Sequence, residues 1–150
     1  LLIGSSLCSE LHVSHMQINF SNITAYDLDK GYKIADFSDV SPIVIDVKDV
    51  EEWNIYIQPM HMNLFYQNQS ISITSLQWKK NSESMYKPIS YEKTLVASND
   101  SSPIPIYLSF RINLDWNTPP GNYSVPLEII FEEKPSFLKK NKHPRRITTN

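Results

Sequence analysis

The sequence predicts an all-β fold, an antiparallel β-sandwich of about seven to nine strands. Apolar and polar side chains alternate in two long stretches near the C-terminus, which is the pattern of half-buried strands. Turn-forming residues recur roughly every ten residues, as they do in sandwiches and barrels. The chain has 10 prolines and 3 glycines in 150 residues, which suits short strands and stiff turns better than long helices.

The two clearest strands cover residues 108–116 and 122–132. Residues 117–121, Asn-Thr-Pro-Pro-Gly, are turn formers, so we expect the two strands to be neighbours. Pro126 cannot donate a ladder hydrogen bond, which indicates an edge strand or a bulge at that position. Weaker alternation predicts six further strands, over residues 12–20, 32–34, 43–47, 53–58, 70–78 and 94–97.

The chain length fits one domain, which we place at residues 9–133. Residues 1–8 are apolar and small, and Ser6 and Cys8 suit the −3 and −1 positions of a signal-peptidase cut before Ser9. We therefore interpret residues 1–8 as a signal-peptide remnant, with a buried N-terminal strand as the alternative. Residues 134–150 lose the alternation and are basic, so they are expected to form a flexible tail or linker.

The charge distribution excludes one large class of partner. The net charge is −2, and the positive charge is concentrated in the C-terminal tail, so the body of the protein is acidic. An acidic body is a poor match for nucleic acid, because phosphate contacts dominate that affinity. No apolar run reaches about 18 residues, so we expect no transmembrane segment. With Cys8 as its one cysteine, the chain cannot form an intramolecular disulfide.

Catalytic and cofactor motifs are missing from the sequence. There is no Gly-x-Ser-x-Gly nucleophile elbow, and three glycines are too few for a phosphate loop or a dinucleotide fingerprint. His12 and His15 stand three apart in a predicted strand, so they point to opposite faces and cannot share a metal. We expect a protein that is not an enzyme and carries no cofactor. A hydrolase whose site is assembled from distant residues is the enzymatic alternative.

Asp27 and Asp29 are the candidates for a metal site. Carboxylates at alternate positions of a loop can converge on Ca²⁺. The EF-hand pattern fails, however, at both its glycine and its bidentate glutamate. The favoured interpretation is an ordinary hairpin turn over residues 27–31, with Gly31 at positive φ.

Aromatic side chains suggest both a core and a binding face. Trp53, Trp78 and Trp116 each fall within an alternating apolar set, which favours burial. Several tyrosines are more plausible on a surface, namely Tyr56, Tyr66, Tyr86, Tyr91 and Tyr107. Sequence alone does not locate a face built from them.

The segment covering residues 110–131 carries a resemblance. An apolar strand ends in Asp115-Trp116, a Thr-Pro-Pro-Gly turn follows, and Gly121-Asn122-Tyr123 leads into the last alternating strand. This segment resembles the closing hairpin of bacterial extracellular immunoglobulin-like sandwiches in pilus, spore-coat and cell-wall surface modules. The resemblance implies a structural corner of Trp116, Gly121 and Tyr123, where the tyrosine ring seals the core and its hydroxyl bonds the neighbouring corner.

The resemblance also implies a structural or adhesive role, and fold alone supplies no more than that. We expect a secreted, extracellular or cell-surface module that binds protein or polysaccharide and can self-associate through edge strands. A carbohydrate-binding module that uses exposed aromatic side chains is the alternative.

Overall fold

The computed structural model describes residues 10–36, 43–48, 50–66, 69–100 and 104–134. Within these ranges the fold is all-β, as predicted, and every strand pairing is antiparallel. The interpretations of residues 1–8 and of the tail beyond Lys134 lie outside the described residues. The elements in chain order are β1 Glu10–Ile23, α1 Ala25–Lys30, β2 Tyr32–Ile34, β3 Ile43–Ile45, β4 Trp53–Pro59, β5 Asn63–Tyr66, β6 Gln69–Ser72, a 3-10 turn Ile73–Ser75, β7 Leu76–Lys80, β8 Lys87–Pro88, β9 Thr94–Ser98, β10 Ile106–Asn113 and β11 Gly121–Glu133.

The first sheet is built around β11. β1 pairs along almost the whole of one side of β11, and β4 and β5 share the other side. β9 flanks β4, and β6 flanks β5. The strand β1 therefore forms one edge of this sheet among the described residues.

The second sheet is built around β10. β7 pairs with one side of β10 and is followed by β8, while β2 and β3 pair with the other side. β2 and β3 are short pieces that share one side of β10, as β4 and β5 share one side of β11. These interruptions raise the strand count above the seven to nine that the sequence predicts.

The inner faces of the two sheets share one cluster of buried side chains. Leu127, Ile129 and Phe131 from β11 are buried in it, and so are Phe110 and Ile112 from β10. Burying one large apolar side chain stabilises a fold by about 1.5–3 kcal/mol. The arrangement is therefore sandwich-like, with one core between two sheets.

The expected hairpin between β10 and β11 is wrong. The two strands belong to different sheets, so residues 114–120 cross from one sheet to the other. Alternation shows that each strand buries one face, but strands on opposite sides of a core show the same alternation as neighbours in one sheet. Turn-forming residues likewise suit both kinds of connection.

The single strand predicted over residues 70–78 is also wrong. The 3-10 turn Ile73–Ser75 divides it, and the chain passes from β6 in the first sheet to β7 in the second. The Ser72 hydroxyl accepts a hydrogen bond from the Thr74 N–H at 3.3 Å, which favours a turn over continued extension. Ile73 is buried within this turn.

Pro126 lies in the central strand β11 and pairs with Gln17 in continuous register, so the prediction of an edge strand or a bulge at this position is wrong. Its carbonyl accepts a hydrogen bond from the Met60 N–H at 3.1 Å. In an antiparallel strand the N–H and C=O of one residue point to the same side, so the ring nitrogen faces the break between β4 and β5. No ladder donor is needed there, which explains why a proline is accommodated in the middle of the sheet.

Candidate functional site

Asp27 stabilises a helix in this structure. Its carboxylate accepts hydrogen bonds from the Thr24 N–H at 3.0 Å and from the Thr24 hydroxyl at 3.3 Å. It also lies 3.5 Å from the Lys33 ammonium. Burial raises the pKa of Asp27, but the Thr24 hydrogen bonds and Lys33 outweigh it and hold that pKa below its usual value. These contacts are those of a capping residue at a helix N-terminus.

The two metal-site candidates do not converge. Asp29 is exposed on the same helix, whereas Asp27 is buried, and the described residues contain no group of three or more metal-ligating side chains. Residues 27–31 end a short helix that joins the two sheets, so the hairpin-turn interpretation is wrong. Gly31 does adopt positive φ, at 91°, as the C-cap of that helix.

Tyr123 lies at the start of β11, just after the β10–β11 crossing. Its side chain is buried, and its hydroxyl donates a hydrogen bond to the Pro119 carbonyl at 2.7 Å. Burial raises the pKa of the Tyr123 phenol, which keeps the group protonated as a donor. Gly121, two residues earlier, has φ 141°, a conformation that favours glycine.

Trp116 is largely exposed, so the prediction that it is buried is wrong. Its side chain is 66% exposed. β10 ends at Asn113, and Asp115 then forms a turn, its carboxylate accepting from the Asn117 N–H at 2.8 Å. The alternation of core-facing and solvent-facing side chains ends with β10. Trp116 therefore does not continue the set of side chains that face the core. Trp53 and Trp78 are buried, as predicted.

An open polar cavity of about 260 Å³ lies beside this turn. Its lining residues are mostly polar and include three serines between residues 70 and 75 together with Asn113, Asp115 and Asn117. Asp115 is engaged in its own turn, and no histidine is among the lining residues. The cavity therefore offers hydrogen-bonding groups without an acid–base pair.

Among the described residues, the strand β1 has one side of its backbone without a pairing strand. The Asn19 carbonyl accepts from the Asp36 N–H at 2.8 Å, on the side of β1 away from β11. Because this orientation alternates along a strand, Leu11, Val13, His15 and Gln17 also direct their N–H and C=O groups away from β11. No described residue bonds to the backbone groups of these four residues on that side.

An apolar row crosses the outer face of the first sheet beside that edge. Val13 pairs with Ile130, Ile130 with Tyr56, and Tyr56 with Leu95. Val13 is 49% and Leu95 53% exposed. Polar contacts flank the row, with Glu132 accepting from the Tyr56 hydroxyl at 3.3 Å. We call these four residues the apolar row.

The outer face of the second sheet carries alternating cations and tyrosine rings. Lys30 lies 5.3 Å from the Tyr26 ring centroid and 4.8 Å from that of Tyr32. Arg111 lies 5.1 Å from Tyr32 and 4.5 Å from Tyr86, and the Lys79 ammonium lies 5.4 Å from Tyr86. All these distances fall within cation–π range. We call the six residues the cation–tyrosine ladder: Tyr26, Lys30, Tyr32, Arg111, Tyr86 and Lys79.

Sequence reasoning missed both surfaces. Alternation identified β1 as a strand, but it does not say which side of the strand stays unpaired. The ladder joins residues from α1, β2, β7, β10 and the loop before β8, which no spacing rule brings together. Of its members, only Tyr86 was expected on a surface.

No protein-family model, curated protein or solved structure matches this chain. The class that the structure itself defines is an all-β protein with two antiparallel sheets over one core. Of the helices in the described ranges, none has the length and apolar character needed to cross a bilayer.

Proposed function

We propose that this chain is a non-catalytic structural or adhesive module of the immunoglobulin-like sandwich type, secreted or displayed at the cell surface, which self-associates through β1. The observation that carries the proposal is the backbone edge from Leu11 to Gln17, which no residue in the described ranges pairs with on the side away from β11. Such an edge is a template for another strand, and main-chain hydrogen bonds then supply the affinity.

The other edges of the two sheets differ from β1 in ways that oppose pairing. Short strands, prolines and bulges are the devices by which proteins protect their edges. β8 has two residues and ends in Pro88, β2 and β3 have three each, and β6 has four. β9 has an irregular register against β4. β1 has 14 residues. Between residues 11 and 17, the positions whose backbone groups point away from β11 include no lysine, carboxylate or proline.

The side chains on this edge favour a second copy of the chain as partner. In an antiparallel pair of β1 strands with Val13 on the two-fold axis, Val13 faces its own counterpart and Leu11 faces the partner's His15. Each of these positions directs its N–H and C=O toward the other strand, so the pairs exchange backbone hydrogen bonds. The arrangement places no two like charges opposite each other.

The same register also aligns the apolar rows of the two copies. Each row reaches the edge at Val13, so the joined sheet carries one continuous row from Leu95 to the partner's Leu95. Facing apolar and β-branched pairs stabilise sheets by roughly 0.2–1 kcal/mol each. A contact made of one strand edge is small, so we expect a concentration-dependent dimer of modest affinity.

A charge swap at Val13 tests this arrangement. In the proposed register the two residues at position 13 have Cα atoms about 5.5 Å apart, so Val13→Lys alone and Val13→Glu alone each place like charges together. We expect both variants to be monomeric, and their equimolar mixture to form a heterodimer through a Lys–Glu pair. Sedimentation velocity over about 1 µM to 1 mM measures this, a range that spans modest affinities.

Leu95→Lys is the matched control, because Leu95 lies in the same row but at the opposite edge of the sheet. We expect Leu95→Lys to dimerise like the wild type. Loss of the dimer in this variant would indicate that the two copies dock through the outer face of the sheet, and would contradict association through the edge of β1. A wild-type chain that stays monomeric throughout, or a mixture that fails to associate while the wild type dimerises, would also overturn the proposal.

Carbohydrate binding is the second candidate function, and the cation–tyrosine ladder favours it. Tyr26, Tyr32 and Tyr86 stand in sequence across one outer face, between cations whose N–H groups can donate hydrogen bonds to sugar oxygens. This candidate does not depend on self-association, because the ladder and the β1 edge belong to different sheets.

A further inference from the structure

We propose that the cation–tyrosine ladder binds an anionic polysaccharide, a polymer with a carboxylate on its sugar units. The inference rests on the second candidate function and specifies the charge of its ligand. It does not depend on dimer formation through β1.

The cations of the ladder are not neutralised by described carboxylates. Lys30, Lys79 and Arg111 form no ion pair with any acidic side chain in the described ranges. Two carboxylates on the same elements are already paired with other lysines, Asp27 with Lys33 and Glu83 with Lys87. The face therefore keeps a local positive charge on a protein whose net charge is −2.

Two of the ladder's three cations, Arg111 and Lys79, are held in position by hydrogen bonds. The Arg111 Nε donates a hydrogen bond to Gln77 Oε1 at 2.7 Å, and the guanidinium lies between the Tyr32 and Tyr86 rings. The Lys79 ammonium donates to the Glu83 carbonyl at 3.2 Å. Positioned charges lose less side-chain entropy on binding than mobile ones do.

The ring contacts distinguish the expected ligand from a neutral sugar. A neutral sugar packs its apolar face on an open aromatic face, but the Tyr32 and Tyr86 rings are each engaged by two cations. The chemistry left for a ligand is therefore the charge of the ladder's cations. Carboxylates are the groups that an arginine fork and ammonium donors bind best.

The same contacts argue against single-stranded nucleic acid. Proteins bind such strands by stacking bases on aromatic faces along a positive groove, and here the cations already lie against those faces. The contacts left to a ligand are therefore those of charge with the ladder's cations, which a carboxylated sugar polymer supplies.

Affinity electrophoresis with polygalacturonate tests the inference, and fully methyl-esterified polygalacturonan provides the same backbone without charge. We expect the wild type to bind the charged polymer and not the ester. Arg111→Gln, Lys30→Gln and Lys79→Gln should each weaken binding by roughly 3- to 10-fold. Each should also reduce the slope of the logarithm of the binding constant against the logarithm of the salt concentration by about one.

Lys93→Gln is the matched control, because the Lys93 ammonium also lies over a tyrosine, 4.3 Å from the Tyr56 centroid, but on the first sheet. It removes the same charge and should leave binding unchanged. A loss equal to that of Arg111→Gln would indicate general attraction to a polyanion and overturn the ladder as the site.

The remaining outcomes separate this inference from the second candidate function. Equal binding of the ester would overturn the requirement for charge while leaving carbohydrate binding standing. Binding of neither polymer would overturn this inference, and failure to bind a broad panel of polysaccharides as well would overturn the second candidate function. Both results would leave the β1 dimer untouched. An oligothymidylate of equal charge that binds as tightly as polygalacturonate would overturn the assignment to polysaccharide.

Discussion

Asp27 illustrates how a single residue can satisfy two sequence patterns. Acidic residues at alternate positions suit a cation loop, and a threonine followed three residues later by an acid suits a helix N-terminus. The structure selects the second, since the Asp27 carboxylate accepts hydrogen bonds from Thr24 and lies beside Lys33. Which role an acid takes depends on the donors around it.

We expect Asp27→Asn to lower the free energy of unfolding by roughly 1 kcal/mol at neutral pH, the usual value of a lost cap. Folding lowers the pKa of Asp27 below its ordinary value of 3.8. The ionised carboxylate therefore stabilises the folded protein in full at pH values well above 3.8. The stabilisation is lost as the pH falls through the folded pKa.

Urea unfolding at pH 7 and at about pH 2 measures the difference between wild type and variant. The difference should shrink at the acidic pH. A difference that is the same at both values would contradict the role of the Asp27 charge, while leaving a hydrogen-bonding role in place.

At the scale of the element, the two lateral sides of β1 differ in their hydrogen bonding, because one side pairs with β11 and the other pairs with no strand in the described ranges. Even-numbered positions such as Ser14 direct their backbone groups toward β11, and odd-numbered positions such as Val13 direct theirs away. The contacts of Asn19 with Asp36 and of Pro126 with Met60 lead independently to this assignment. The two sides should therefore differ in their tolerance of proline.

We expect Val13→Pro to fold with a stability within about 1 kcal/mol of the wild type, because the missing N–H points out of the sheet. Ser14→Pro removes a donor of the β1–β11 ladder and should cost about 1–3 kcal/mol. Val13→Pro should also be monomeric. Urea midpoints and sedimentation measure both effects, and equal destabilisation by the two prolines would contradict the assigned orientation of β1.

At the scale of the whole molecule, the two sheets depend on each other because neither covers its own apolar face. Phe131 from the first sheet is fully buried, and its ring stacks on Trp53 with centroids 6.3 Å apart. Trp78, in the second sheet, is buried in the same cluster. We therefore expect one cooperative unfolding transition.

Single-tryptophan variants test this, since Trp53 reports on the first sheet and Trp78 on the second. Trp116→Phe is the common background, and its cost should stay within about 0.5 kcal/mol because Trp116 is largely exposed. Phe131→Ala should lower the free energy of unfolding by about 3–5 kcal/mol and shift both fluorescence transitions together. Separate transitions would show that the sheets unfold independently.

The sequence by itself determined which segments are extended and, for most of them, which side chains face the core. The alternation in β10 and β11, the burial of Trp53 and the positive φ of Gly31 all follow from local preferences. Each of these depends on residues close together in the chain.

Only the tertiary structure decided which strands pair, which edge stays open and which cations meet which rings. Strands pair through backbone groups that are nearly the same in every residue. The side-chain pattern therefore does not say which strands pair with β10 and which pair with β11. The open edge of β1 and the cation–tyrosine ladder both arise where distant segments meet or fail to meet. Both surfaces therefore depend on how the two sheets are assembled.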